Sequence, residues 1–184
     1  EGDLPNIYLL HGDFEDEEMN QLYNHPKVKA HINLTHGEGF GRPLLEASIS
    51  EKPIIASNWS GHTDFLHKDL AILLGGGLHN VERGSVPDEY MVEGSQWFTV
   101  NYQQASAVMK DVYKSYKKYM LNAKKLGVIN KSKFSLKAMT RELGKILDKY
   151  VPEFPKEVKL DLPKLKKVGS TELPKIKLPK LKKV

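Results

Sequence analysis

Leu34-Thr35-His36-Gly37-Glu38-Gly39-Phe40-Gly41-Arg42-Pro43-Leu44-Leu45-Glu46-Ala47 runs from a short apolar segment, through a glycine-rich turn, into a helical pattern. Such a strand-to-helix turn belongs to a parallel α/β sheet, where ligands bind outside the carboxyl ends of the strands. The glycines let the main chain approach a ligand closely, and Pro43 suits a first helical turn. The amides of Phe40 and Gly41 open the helix and can receive a phosphate. Glu38 and Glu46 are separated by seven residues. One carboxylate falls in the turn and one in the first turn of the helix, so both are expected to face one cleft. Amides for a diphosphate beside a carboxylate for a ribose diol suit a nucleotide. Two plainer readings compete: a tight connection without a ligand, and a Glu46 that only compensates the helix dipole.

Before this stretch, Ile7-Tyr8-Leu9-Leu10 reads as a buried strand, stopped by His11-Gly12-Asp13. Glu15 to Asn24 reads as a helix with Met19, Leu22 and Tyr23 on one face and Asp13 as its cap; His25-Pro26 ends it. Ala30 to Leu34 is the next expected strand. After the turn, Pro43 to Ser50 reads as a helix, Pro53 to Ala56 as a third strand and Leu70 to Leu74 as a fourth. Strands alternating with helices imply right-handed crossovers and a parallel sheet. Residues 75–96, glycine-rich and mostly polar, read as an insertion or mobile loop. Two helices follow. Ala105 to Leu126 carries a stripe of Val108, Val112, Tyr116 and Tyr119. Leu136 to Tyr150 carries Met139, Leu143, Ile146 and Leu147, with Ser135 as its cap.

Pro152 and Pro155 break the pattern, and the rest is a degenerate repeat. Leu162-Pro163-Lys164-Leu165-Lys166-Lys167-Val168 recurs at 178–184, with a shortened copy at 173–177. Regular proline denies it a helix and its length denies it a core. The expected organisation is therefore a domain at 1–154 and an extended basic tail at 155–184, dispensable for the fold. Residues 156–184 hold ten lysines and a net charge of +7, whereas residues 1–155 carry a net −2. The basic character sits in the tail, so specific nucleic-acid binding by the folded part is not expected, and the tail suits weak contact with an anionic surface. With 184 residues there is room for one sizeable core. No apolar run reaches 18 residues, and the start, Glu1-Gly2-Asp3-Leu4-Pro5, shows no signal peptide. The absence of cysteine excludes disulfides, Cys-ligated metals and a Cys nucleophile within this sequence. A cytoplasmic location, with peripheral membrane contact through the tail, is the corresponding expectation.

Glu38-Gly39-Phe40-Gly41-Arg42-Pro43-Leu44-Leu45-Glu46-Ala47 resembles the Glu-x7-Glu motif of the group 1 (family 4) retaining glycosyltransferases. Lys52-Pro53-Ile54-Ile55-Ala56-Ser57 and Ser60-Gly61-His62-Thr63-Asp64-Phe65-Leu66 extend the resemblance, which covers about 7–150. It implies the GT-B fold, two Rossmann-like domains facing across a cleft, with this chain similar to most of the C-terminal, donor-binding domain. It further implies that a further βαβ portion and the N-terminal acceptor domain are missing before Glu1. By the same resemblance Glu38 contacts donor sugar hydroxyls and is the candidate catalytic residue. Glu46 binds the ribose diol, and Gly39, Phe40 and Gly41 approach the diphosphate and sugar. Arg42 and His36 are further donor-binding candidates beside the motif; a solvated helix-start arginine and a turn histidine are their plainer readings. Asp64 stands where the family usually has Glu, and Ser60-Gly61 replaces a glycine pair.

The implied activity is transfer of a sugar from a nucleoside diphosphate sugar to a hydroxyl of a glycan, lipid or other acceptor. The anomeric configuration is retained, and neither cofactor nor metal is required. This chain alone is expected to be inactive. The seven histidines show no His-x3-His pair of the zinc-protease kind. Ser57, Ser60 and His62 suggest no triad, and Trp97 and Phe98 are expected to pack against the sheet. Two rival classes remain: a nucleotide-sugar epimerase, which needs no acceptor, and a non-catalytic sugar-nucleotide-binding module.

Overall fold

The computed structural model describes residues 5–85, 87, 90 and 92–152. The repeat at 155–184, and with it the expectation of an extended tail, lies outside the described residues. The chain is an α/β protein. Three strands, β1 (His31–Asn33), β2 (Ile54–Ser57) and β3 (Ile72–Leu74), form a parallel sheet in the order β1-β2-β3, with Ile32 opposite Ile55 and Ile55 opposite Ile72. Helices α1 (Asp16–Asn24) and α2 (Arg42–Ile49) flank β1 in sequence. A 3-10 turn (Gly61–Asp64) follows β2. A two-stranded antiparallel hairpin, β4 (Gly76–Asn80) and β5 (Gln96–Val100), precedes α3 (Tyr102–Lys114), α4 (Tyr116–Lys133) and α5 (Leu136–Tyr150).

Strand alternation divides the core in two. Ile54 and Ala56 are buried with Leu44 and Ala47 of α2, Leu126 of α4, and Phe65 and Leu66. Ile55 and Leu74 are buried with Phe98 and Val100 of β5 and Ala105 and Val112 of α3. Both faces of the sheet are covered, as parallel sheets require. Asn130 of α4 donates to Ser48 Oγ of α2 at 2.9 Å inside the core, which fixes the rotation of α2 and so the direction of its first turn.

Several expectations are corrected. Ile7–Leu10 forms no strand: it pairs with nothing among the described residues, and Ile7, Tyr8 and Leu9 are 82–90% exposed. An apolar run becomes a buried strand only beside a neighbour, and β1 lies elsewhere. The cap of α1 is Glu15 rather than Asp13, with Glu15 N–H donating to the Glu18 carboxylate at 3.0 Å. The segment 75–96 is not wholly a loop, because its first residues pair with β5. The expected helix 105–126 is two helices, broken at Ser115. The carboxylate of Asp111 accepts from the Tyr119 hydroxyl and, at 3.4 Å, from Lys118, which ties α4 to α3 across the break. By contrast α5 has the expected bounds, and Ser135 Oγ accepts from Ala138 N–H as its cap. Its Leu143, Ile146 and Leu147 remain about half exposed.

His31, at the start of β1, meets the Tyr23 ring edge-on at 5.7 Å, and burial lowers its pKa below the ordinary 6.5. The unfolded chain therefore takes up this proton at a higher pH than the folded one. Its contribution to stability is complete above pH 6.5 and is lost as pH falls from there through the folded value. His31→Gln is expected to lose less melting temperature between pH 7 and pH 5 than the wild type. Equal losses in a pair of thermal-melt series would refute this.

Candidate functional site

The loop 34–41 leaves the carboxyl end of β1 and ends on Gly41, which caps α2 in the left-handed region at φ 82°. A side chain there would be strained, and its Cβ would meet His62 Cβ at 2.9 Å, so glycine is required twice over. The amides of Gly39, Phe40 and Gly41 donate to no protein acceptor among the described residues. The Phe40 ring lies 5.1 Å from Phe65 and 6.0 Å from Phe134, which anchors the loop to the core while the residue stays partly exposed.

Glu38 is half-buried. One carboxylate oxygen accepts from Asn33 Nδ2 at 3.2 Å and from Thr35 Oγ1 at 3.3 Å. Its main chain is gripped from the β2 side: Glu38 N–H donates to Ser60 Oγ at 2.7 Å, and Gly61 N–H donates to Glu38 O at 3.0 Å. Gly61 is packed so closely that a Cβ would lie 2.0 Å from Gly39 O. Next to this clamp His62 is fully buried. Its Nε2 lies 2.6 Å from the Ser57 carbonyl and so carries a proton, while Nδ1 has no partner among the described residues.

Glu46 sits elsewhere. It projects from α2 into a groove of about 620 Å³ against α1, lined also by Arg42, Tyr23, Asn20, Met19 and Asp16. Arg42 Nε and a Glu46 oxygen are 2.8 Å apart, with Arg42 mostly exposed. Burial and then the Glu46 carboxylate raise the Tyr23 pKa, with Arg42 opposing. Of the residues singled out in the sequence, Arg42 and Glu46 therefore share a groove with Tyr23. Glu38 does not line it.

His36 is bound to the hairpin. Its Nδ1 donates to Phe98 O at 2.7 Å, its carbonyl accepts from Phe98 N–H at 3.3 Å, and its ring stacks on Trp97 at 4.1 Å. Phe98 is buried in the second core cluster and stacks against Trp59. The hairpin thus braces both the loop that carries Glu38 and the segment that clamps it.

Sequence reasoning missed Asn33, Thr35, Tyr23 and the Ser60–Gly61 clamp. Asn33 at the end of a strand was a legible signal, since a polar amide there points toward the ligand side of a parallel sheet. Among the described residues no three His, Asp or Glu side chains gather as a metal site, and no helix is long and apolar enough to cross a membrane. No protein-family model matches the sequence, and no curated protein matches it either.

Proposed function

We propose that this chain is the donor-binding part of a retaining glycosyltransferase of the GT-B kind. The run of unengaged amides Gly39–Gly41 at the start of α2 carries the reading. Glu38 is fixed just before it in the chain, and the Arg42–Glu46 groove follows just after it. In this reading the amides and the helix N-terminus take the diphosphate, as helix starts do for anions. Glu46 accepts from the ribose diol through the oxygen that Arg42 leaves free, and the groove beside Tyr23 holds the nucleoside. Glu38 accepts from donor sugar hydroxyls. The bond from the anomeric carbon to the diphosphate breaks, the acceptor oxygen bonds to that carbon on the same face, and the leaving phosphate takes the acceptor proton. The protein orients the donor and stabilises charge on the leaving diphosphate.

Two features support placing the chain within a larger Rossmann-like sheet. Among the described residues β1 has a strand on one side only, and the apolar run Ile7–Leu10 is exposed without a partner. In a sheet of order 3-2-1-4-5-6, β1, β2 and β3 take the places 4-5-6. Ile7–Leu10 then takes place 3, separated from β1 by two further strands. That spacing accounts for an apolar segment that finds no edge to join.

Glu46→Ala should weaken nucleotide-sugar binding by roughly 1–3 kcal/mol, the order of a lost hydrogen bond to a charged group. Calorimetric titration with a panel of nucleoside diphosphates and their sugars tests it. Unchanged affinity for the tightest ligand removes Glu46 from the site.

A further inference from the structure

We propose that Ser60 is a positioning residue for Glu38: a strained serine whose hydroxyl holds the main chain that carries the sugar-facing carboxylate. The inference rests on the sugar-nucleotide reading of residues 34–47 and adds to it the element that aims Glu38.

Ser60 adopts φ 79° and ψ −165°. Only glycine enters this region of backbone space without strain. A serine there must be held by its surroundings, and its hydroxyl shows how. It accepts from Glu38 N–H at 2.7 Å and from Gly61 N–H at 2.7 Å, and donates to Glu38 O at 2.5 Å. A serine hydroxyl has one donor and two acceptor positions, and all three are used. Both polar groups of the Glu38 main chain therefore end on one side chain, 22 residues away in sequence. Nothing is left on that oxygen to bind a ligand, so Ser60 acts through Glu38. Among the described residues the carboxylate itself has only the longer contacts from Asn33 and Thr35, at 3.2 and 3.3 Å. Its direction depends on the main chain beneath it. The residue before Ser60 is fixed in turn, because Trp59 stacks on Phe98 with ring centres 5.6 Å apart. A rigid hairpin, a stacked tryptophan and a saturated hydroxyl form one line of support ending at Glu38.

Two substitutions separate aim from strain. Ser60→Gly removes the hydroxyl and the strain together; Ser60→Ala removes the hydroxyl and keeps the strain. Wild type and both variants are titrated with UDP-glucose and GDP-mannose, and with UDP and GDP. Each variant is expected to bind the preferred sugar nucleotide about tenfold more weakly, while affinity for the bare diphosphate changes by less than about twofold, since Glu38 serves the sugar. Ser60→Gly should melt within a few degrees of wild type, with relief of strain offsetting the lost hydrogen bonds. Ser60→Ala should melt several degrees lower. The Glu38 amide should exchange with solvent faster in both. Unchanged affinity for the sugar nucleotide in Ser60→Gly overturns the proposal. So does an equal loss for sugar nucleotide and bare diphosphate, which marks a merely structural role. If wild type binds none of the four probes, the site reading itself fails. Exchange at Glu38 then decides the clamp alone: faster exchange in Ser60→Ala sustains it, and unchanged exchange refutes it.

Discussion

Gly61→Ala is expected to lower the stability of the chain by about 3–5 kcal/mol, among the largest effects a single methyl group can have. The added carbon would lie 2.0 Å from Gly39 O, 2.7 Å from Gly39 C and 3.0 Å from Glu38 O. All three are main-chain atoms, so no side-chain rotation relieves the contact. The loop must move away from the 3-10 turn, and moving it breaks the Gly61 N–H to Glu38 O bond and the Ser60 bonds beside it. The Gly39–Gly41 amides shift with it, so nucleotide binding should fall together with stability. Gly39→Ala is the control, because no atom lies within 4 Å of a Cβ there. Its melting temperature should stay within about 2 °C of wild type, against a drop of roughly 6–20 °C for Gly61→Ala. If Gly61→Ala melts like Gly39→Ala, the close approach of turn and loop is not a feature of the protein in solution.

The positions where sequence reading succeeded and failed have separate physical causes. The parallel strands and α2 were legible because Ile54-Ile55-Ala56 and Pro43-Leu44-Leu45 announce themselves by local composition alone. Helix α5 was legible to the residue, since its period and its Ser135 cap lie within the segment. Ile7–Leu10 has equally strong strand composition and is exposed. Composition reports what a segment would bury, whereas burial needs a neighbour that local pattern does not supply. The opposite error occurred at Gly76–Asn80, where glycines mask a strand that exists only through pairing with Gln96–Val100. The break at Ser115 was hidden for a similar reason. Nothing local forbids a continuous helix there, and the turn lets Tyr116 and Tyr119 reach the second core cluster.

The candidate site divides in the same way. Gly41, Glu38 and Glu46 could be picked out because motif spacing is local. The spacing did not show that Glu46, and not Glu38, lines the groove against α1. Helical geometry explains this: Glu46 lies a full turn past the Gly41 cap and faces α1, whereas Glu38 lies before the cap and is held by the end of β2. Ser60 was visible only as a serine standing where the resembled family has glycine; its positive φ and its hold on Glu38 were not legible, since a serine alone reveals neither.

The largest expected effect concerns turnover. Supplied with UDP-glucose or GDP-mannose and a glycan or lipid alcohol, this chain should bind a donor and transfer no sugar at a measurable rate. Transfer requires the acceptor oxygen to be held about 3–3.5 Å from the anomeric carbon, and such positioning is worth an effective concentration of roughly 10⁵–10⁸ M. The described residues provide one wall. A Cβ added at Gly39 would meet no protein atom within 4 Å, and Phe40 is 43% exposed at the same loop. In the proposed reading a donor held on these amides stays open to water, so a displaced diphosphate would gain little from a dry, preorganised site. Mass spectrometry of a labelled donor after prolonged incubation tests the point. Turnover on the order of 1 s⁻¹ or faster by this chain would show that one wall suffices and would sink the two-domain reading. Conversion of the donor sugar with no acceptor present would favour the epimerase instead, because that chemistry needs only the sugar nucleotide and the carboxylate beside it. Binding without either reaction, followed by transfer once a polypeptide supplying both the strands beside β1 and an acceptor-holding domain is joined to the chain, is the outcome the proposed reading predicts. In the proposed sheet the added strands would bury Ile7–Leu10 and the added domain would face Glu38, so protection of those four residues and appearance of transfer should rise together.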